Sequence, residues 1–323
     1  MDRPERKLSF GIQTVPNRPW AELARTWTEV EALGFDSVWL PDHFLGTFRP
    51  DLPFLEAWTL LAGLATKTSR IRIGVLVSCN TFRHPALLAK EAVTVDHISG
   101  GRLEFGIGTG WVEIEHTMFG LTYPDAATRV AMYAEAVALI DHLFRNETTT
   151  FAGRHYRLHD APFRPAPLQT PRPPFTLAAH SPRMLKIIAP YADRWNSMGT
   201  PAEMAERGAR LDEAYLAIGR DPGDVLHSVL HVPALAPDEH PWDSTDAFAD
   251  YVGRHREAGV REFILQPPPP ERHDLFVRIA TETVPAMRAQ QWGLGGGGRG
   301  GGGGGGGGGG EEGRGGLAKK NGV

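Results

Sequence analysis

The chain has 323 residues, of which 41% are hydrophobic, and it carries a formal net charge of −4. This length is enough for a large buried core, and the scattered basic residues give no electrostatic footprint for nucleic acid or an anionic membrane, so we expect a small-molecule partner. The single cysteine, Cys79, excludes an internal disulfide framework and a metal cluster held by several cysteines.

Strand and helix patterns alternate through the first half of the chain. Apolar, β-branched runs predict strands, and apolar residues at three- and four-residue spacing predict helices. The first helix shows this spacing, with Leu23, Trp27 and Val30 on one face, and Gly34 ends it. Strands are predicted at residues 8–13, 37–40, 71–77 and 103–107, and helices at 20–33, at 54–67, from residue 85 and at 128–144.

The alternation continues in the second half after an interruption. Residues 149–175 are rich in proline and arginine and contain FAGRHYRL, which predicts a short hairpin insertion after the fourth helix. Ser181 before Pro182 is typical of a helix start, and Thr200 with Glu203 has capping-box spacing. Strands are predicted at residues 175–179, 194–198, 225–232 and 262–266, and helices from residue 182, from residue 200, at 245–258 and at 272–290.

These patterns predict the domain organisation. Eight strand-helix pairs indicate an α/β fold with a parallel sheet, and units of this length favour a closed (β/α)₈ TIM barrel over an open doubly wound sheet. The predicted barrel domain covers residues 1–292. From residue 293 the sequence is nearly continuous glycine, which cannot bury enough apolar area to offset its backbone entropy. We therefore expect residues 293–323 to form a disordered tail.

The sequence also predicts the cellular compartment of the protein. The N-terminal stretch MDRPERKLSFGIQ lacks the apolar segment and the small-residue cleavage site of a signal peptide. No apolar run approaches the roughly 20 residues that span a bilayer. Together with the single cysteine, these features predict a cytoplasmic protein without a membrane partner.

Chemistry in such barrels lies where the strands end. Asp42 and His43 follow the second predicted strand, and they could move a proton at a substrate carbon or hydroxyl. The structural alternative is a helix cap beside a surface histidine. After the third strand, Ser78, Cys79 and Asn80 are expected to line the wall of the pocket.

The run GIGTGW, residues 106–111, follows the fourth strand and resembles the start of a dinucleotide fingerprint. Trp111 stands where that fingerprint needs its third glycine, so the phosphate-binding interpretation fails. Glycine lets a ligand approach the backbone closely. We therefore predict that Gly108, Thr109 and Gly110 make room for a flat ring, with Trp111 as a wall.

Acidic residues and a histidine follow this loop. Glu113, Glu115 and His116 could join Asp42 and His43 in a metal site. However, the first strand contains FGIQ and lacks the paired histidines that metal-dependent hydrolases of this fold place there. We therefore expect no metal, and Glu113 is a candidate catalytic residue beside Asp42 and His43.

The fifth strand ends in AAHSPR, residues 178–183. Free N–H groups at a helix start, the hydroxyl of Ser181 and the nearby Arg183 predict an anion site suited to a phosphate, with Ala179 and His180 beside it. Ordinary helix capping by Ser181 is the alternative.

Four motifs taken in order resemble the luciferase-like flavin-dependent oxidoreductase family, from about residue 10 to residue 292. They are GFDSVWLPDHF, TSRIRIGVLV, RHPALLAKEAVTVDHISGGRLEFGIGTGW and YADRWN. The resemblance implies a barrel, commonly dimeric, that binds FMN or the deazaflavin coenzyme F420 at the carboxyl ends of its strands. It also implies that residues 42–43 and 108–111 flank the ring, that residues 78–80 form a wall where relatives have a cis non-proline bond, and that residues 179–183 hold the phosphate.

DHF and GxGxGW resemble the deazaflavin-using branch more than the monooxygenases. We therefore predict hydride transfer between F420 and a small organic substrate, with His43 as acid or base and Asp42 orienting the ring or the imidazole. The alternatives are an FMN-dependent monooxygenase and a non-catalytic barrel that only binds a ligand. Two departures stand out: Trp111 replaces the glutamate that sugar-phosphate dehydrogenases of the family have after Gly-Thr-Gly, and Ala-Ala-His-Ser replaces a glycine-rich phosphate loop.

Overall fold

The computed structural model describes residues 7–289. Strands and helices alternate along these residues as the periodicity predicts. The strands are β1 (Ser9–Gln13), β2 (Ser37–Leu40), β3 (Arg72–Val75), β4 (Ser78–Cys79), β5 (Leu103–Gly108), β6 (Thr148–Ala152), β7 (Arg157–Pro162), β8 (Phe175–Ala178), β9 (Arg194–Ser197), β10 (Leu226–His231) and β11 (Glu262–Leu265). The α-helices are α1 (Trp20–Ala32), α2 (Ala57–Ala65), α3 (Pro85–Ser99), α4 (Glu113–Phe119), α5 (Ala126–Arg145), α6 (Pro182–Ile188), α7 (Pro201–Ala217), α8 (Thr245–Glu257), α9 (His273–Arg278) and α10 (Val284–Ala289).

Eight of the strands close into a parallel barrel. Around the barrel, β1 is followed by β2, β3, β5, β8, β9, β10 and β11, and β11 pairs with β1 again. The pairing of β3 with β5 closes the other side, with Ile73 opposite Leu103. The predicted (β/α)₈ barrel is therefore confirmed. The short β4 extends the same wall, since Ser78 lies opposite Ile107 of β5.

Two kinds of apolar pattern produce this architecture. The barrel strands are buried on both faces, and all residues of β2, β5 and β11 are buried, as expected for a parallel sheet covered by helices. The helices bury one face only, as α1 does with Leu23, Trp27 and Val30. The main core lies between the strand layer and the surrounding helices.

The hairpin insertion is confirmed. Strands β6 and β7 pair antiparallel after α5, the fourth helix predicted from the sequence, with Phe151 opposite Leu158. The hairpin forms a separate two-stranded sheet.

A buried ionic cluster occupies the amino-terminal end of the barrel strands. Arg194, the first residue of β9, donates from Nη1 to Glu104 Oε2 at 2.6 Å, and its Nε lies 2.6 Å from Glu262 Oε2. The second contact is an ion pair without hydrogen-bond geometry. Arg72 binds the other oxygen of Glu104 at 2.7 Å. Because Glu104 and Glu262 are both buried, Arg194 balances charge inside the fold.

Three local features differ from the sequence prediction. Helix α4 was not predicted, because it has only seven residues and lies in a charged stretch. The third strand ends at Val75 and is followed by a cis peptide bond between Leu76 and Val77. The final helix is interrupted by a π-helical turn, Ile279–Thr283.

The glycine-rich segment at residues 293–323, predicted to be a disordered tail, lies outside the described residues. Among residues 7–289, no helix combines the length and the apolar character that a bilayer crossing requires.

Candidate active site

A large cavity opens at the carboxyl-terminal end of the barrel. Its volume is about 780 Å³, within the range of roughly 300–1,000 Å³ that small-molecule sites occupy. Each barrel strand contributes residues close to its carboxyl end or just beyond it. These include Gln13, Pro41, Leu76, Gly108, Ala178, Asn196, Leu230 and Gln266.

The loop after β2 brings both predicted residues, Asp42 and His43, to the cavity wall. The carboxylate of Asp42 is already engaged. Arg83 donates to it twice, from Nη1 to Oδ2 at 2.6 Å and from Nη2 to Oδ1 at 3.1 Å, and the backbone N–H of Cys79 donates at 2.8 Å. Asp42 thus joins the loops after β2 and β3, and its carboxylate has no contact with the imidazole of His43 among the described residues.

The partner of His43 is Glu115 on α4. Nδ1 of the imidazole lies 2.6 Å from Glu115 Oε1, and the other carboxylate oxygen accepts the backbone N–H of Phe44 at 2.8 Å. Glu115 is buried, whereas the predicted Glu113 is exposed and is not among the cavity-lining residues. The imidazole contact that the sequence predicts for Asp42 is therefore made by Glu115, for which the sequence suggests only a possible role as a metal ligand.

The segment after β3 forms one wall, as the resemblance implied for residues 78–80. Ser78 and Cys79 line the cavity, whereas Asn80 lies behind it and donates from Nδ2 to the hydroxyl of Tyr156 at 3.3 Å. The cis bond lies at Leu76–Val77, before residues 78–80 and not among them. Burial raises the pKa of the Cys79 thiol to about 11, so the thiol is not a ready nucleophile.

The glycine loop after β5 also lines the cavity, together with Trp111. The reason for its glycines differs from the prediction. A Cβ at Gly108 would lie 2.6 Å from Cγ2 of Val77, and a Cβ at Gly110 would lie 2.7 Å from Sγ of Cys79. These glycines let β5 and its loop approach the β3–β4 segment, so the volume they leave free is filled by protein and not by a ring.

This packing predicts a cost for Gly110→Ala. Gly110 has φ +78°, and its Cβ would meet Cys79 Sγ and Thr81 Oγ1 at 2.7 Å. Gly219 provides a matched control, since its φ is +74° with nothing within 4 Å of the added carbon. We expect Gly110→Ala to lower the free energy of unfolding by about 1–3 kcal/mol more than Gly219→Ala, because only the first adds overpacking to backbone strain. Urea denaturation of both variants measures the difference, and equal losses would contradict the packing account.

Helix α4 also anchors the glycine loop. His116 donates from Nδ1 to the backbone oxygen of Val112 at 2.9 Å, so its Nε2 accepts from the hydroxyl of Thr81 at 2.7 Å. The Thr81 oxygen lies 3.1 Å from Sγ of Cys79. One short helix thereby orients His43 through Glu115 and holds the β3–β4 wall through His116.

The end of β8 supplies part of the predicted anion site. Ala179, His180 and Ser181 line the cavity, but Arg183 is exposed and is not among the lining residues. The hydroxyl of Ser181 accepts the backbone N–H of Met184 at 3.3 Å, which is ordinary helix capping. The structure therefore brings three of the four residues to the site and leaves Arg183 outside it.

A flat cofactor fits this donor set better than a metal ion does. Within residues 7–289, no group of three or more His, Cys, Asp and Glu side chains is arranged to hold a metal. The lining is mostly apolar, with backbone groups and small side chains at Cys79, Thr109, Ala179 and Ser181. Such a wall can accept a flat ring and hydrogen bond its polar edge.

The amino-acid sequence of this chain is similar to those of known proteins. The sequence model of a family described as luciferase-like monooxygenase matches residues 8–295. An F420-dependent glucose-6-phosphate dehydrogenase from Kineococcus radiotolerans is 37% identical over 212 residues, which are 64% of this chain and 62% of that protein. A pyrimidine monooxygenase from a Bradyrhizobium species is 33% identical over 202 residues, or 61% of this chain and 55% of that protein. The chain thus spans less than two thirds of the length of these two relatives.

A solved structure shares the fold. The structure of an F420-dependent secondary alcohol dehydrogenase in complex with an F420-acetone adduct matches with a TM-score of 0.75, covering 86% of this chain and 100% of that chain. Sequence identity is 20%, so this likeness establishes the barrel alone.

Proposed function

Because the chain belongs to the luciferase-like monooxygenase family, we propose that it is an oxidoreductase that uses coenzyme F420 to transfer hydride to or from a small organic substrate. The observation that carries this proposal is the contact of 2.6 Å between His43 Nδ1 and the buried Glu115. It supports a role for His43 as the acid or base at the substrate.

Glu115 fixes how the imidazole can act. A carboxylate only accepts hydrogen bonds, so the proton of a neutral ring lies on Nδ1 and the lone pair lies on Nε2. Nε2 has no hydrogen-bond partner within residues 7–289, and His43 lines the cavity. The ring therefore offers Nε2 as a base, and after protonation it offers Nε2–H as an acid.

This arrangement suits an alcohol–carbonyl couple. As a carbinol carbon loses hydride, its hydroxyl proton passes to Nε2 of His43 and a carbonyl forms; in the reverse direction Nε2–H returns the proton to the carbonyl oxygen. Glu115 stabilises the imidazolium that forms in between. When bound, a deazaflavin supplies the hydride acceptor or donor, and Cys79, Thr109, Ala179 and Ser181 are the residues that would hold it.

A second candidate is an FMN-dependent monooxygenase. The identity of 33% to a pyrimidine monooxygenase favours it, since that relative matches nearly as much of the chain as the F420-dependent one does. This candidate predicts oxygen consumption when the protein is supplied with reduced FMN.

Cofactor titration tests the choice. We expect oxidised F420 added to the purified chain to show saturable binding by visible absorbance, and FMN to bind at least about tenfold more weakly. Glu113→Gln is the control, because its side chain is exposed and outside the lining and its titration should match that of the parent protein. Tight binding of FMN with none of F420 would reject the F420 proposal in favour of the second candidate.

A further inference from the structure

The surroundings of His43 are aromatic. Its ring meets Phe54 edge to face, with centroids 6.3 Å apart and an interplanar angle of 84°. Trp111 meets it in the same way at 6.2 Å and 89°. Both side chains line the cavity, so a substrate group at Nε2 would have aromatic rings beside it.

The cavity offers little to a phosphate. Arg49 is the only arginine or lysine among its lining residues in the described chain, and its Nε and Nη2 donate to both oxygens of Asp51 at 3.0 and 2.8 Å. Behind the wall, Arg83 is held by Asp42, Glu56 and Glu91. A phosphate dianion would have to compete with carboxylates for each of these guanidinium groups.

Amide side chains in the cavity wall are already hydrogen-bonded within the protein. The amide of Gln13 donates to the backbone oxygen of Leu76 at 3.0 Å, and it accepts from Gln266 at 3.3 Å. The amide of Asn196 donates to Ser228 at 3.0 Å. A sugar hydroxyl at Gln13 or Asn196 would have to compete with these existing hydrogen bonds, and this competition weakens binding.

The apolar lining continues to the rim. Phe48, Trp111 and Leu235 line the cavity and remain 51%, 57% and 45% exposed. An alkyl or aryl chain could therefore lie on apolar surface from His43 to the opening, and burial of that surface would supply its binding free energy.

We propose that the substrate is an uncharged alkyl or aryl carbonyl compound, or the corresponding alcohol, and not a sugar phosphate. This inference rests on the proposed function for the role of His43. The aromatic rings of Phe54 and Trp111 beside His43 favour an alkyl or aryl chain, and the absence of an unpaired arginine or lysine among the described lining residues disfavours a phosphate.

Calorimetric titration of the full chain, saturated with whichever cofactor it binds, tests the substrate class with two probes, 2-octanone and glucose 6-phosphate. We expect 2-octanone to bind at least about tenfold more tightly, and Phe54→Ala to weaken its binding by about five- to tenfold. Leu216→Ala truncates an exposed apolar side chain outside the cavity lining and should leave the affinity unchanged.

The outcomes separate this inference from the proposed function. Tighter binding of glucose 6-phosphate, lost in Arg49→Gln, would overturn the substrate class even if hydride transfer is observed. Absence of 2-octanone binding, or binding that Phe54→Ala does not weaken, would overturn it as well. Ketone binding that depends on Phe54, without reduction of the ketone by reduced F420, would support the substrate class and count against the proposed function.

Discussion

Replacement of His43 by alanine is expected to lower kcat for hydride transfer by about 10²- to 10⁴-fold, the usual contribution of a positioned acid or base. The variant should bind cofactor as the parent protein does, because the proposed role of His43 is proton transfer at the substrate. Stopped-flow absorbance of the cofactor measures the rate, and the cofactor titration measures binding. A variant that keeps full kcat would exclude His43 as the acid or base, whereas a parent protein that binds cofactor without any turnover would favour the ligand-binding alternative.

Substitutions of Glu115 and Glu113 test which of these two carboxylates assists His43. Glu115→Gln keeps the shape of the side chain but removes the charge that stabilises a protonated His43, so kcat should fall by roughly 10- to 100-fold with little change in KM. Glu113→Gln should leave both parameters within about twofold, because exposed substitutions away from such contacts have small effects. The opposite pattern would restore the assignment of Glu113 made from the sequence.

The barrel could be predicted from the sequence because burial determines the pattern of apolar residues in its strands. Strands such as β5 and β11 are buried throughout and alternate with helices that have one apolar face, and few folds accommodate eight such units. Helix α4 could not be predicted in this way. Its seven residues include the buried polar side chains Glu115 and His116, so hydrophobic periodicity does not mark its buried face.

For the site, the sequence could predict only which residues follow the ends of the strands, and not which of them contact each other. The sequence placed Asp42, His43, Gly108 and Ser181 at one opening, because parallel strands all end on the same side. Glu113 and Glu115 are two residues apart on α4, and side chains at this spacing point about 200° apart, so only one of them can turn inward. The order of residues along the chain does not tell which one does. The partner of Asp42 was missed for a similar reason. Arg83 is 41 residues away along the chain, and only the closed barrel brings the two loops together.

The buried ionic cluster lies at the opposite end of the barrel from the cavity. Arg194 links Glu104 and Glu262 where the strands begin, and substitutions there should not disturb His43 directly. Burial raises the pKa of Glu262, while the charge of Arg194 opposes that rise. Removal of Arg194 therefore leaves the buried carboxylate of Glu262 without its counter-charge, whereas Glu104 keeps Arg72, and Glu262 is then more readily protonated in the folded protein.

Arg194→Met is thus expected to lower the free energy of unfolding by about 3–5 kcal/mol at neutral pH. A carboxyl whose folded-state pKa is raised stabilises the fold below its ordinary pKa, and this contribution is lost as the pH rises through the folded-state value, so the deficit should be larger at about pH 8 than at about pH 5. Arg254→Met is the matched control, since Arg254 also pairs with two carboxylates, Glu239 and Asp250, but at the surface, and should cost less than about 1 kcal/mol. Urea denaturation at both pH values measures all three proteins. A deficit for Arg194→Met that is no larger than that of Arg254→Met, or that shrinks as the pH rises, would show that the buried ionic cluster does not hold the barrel together.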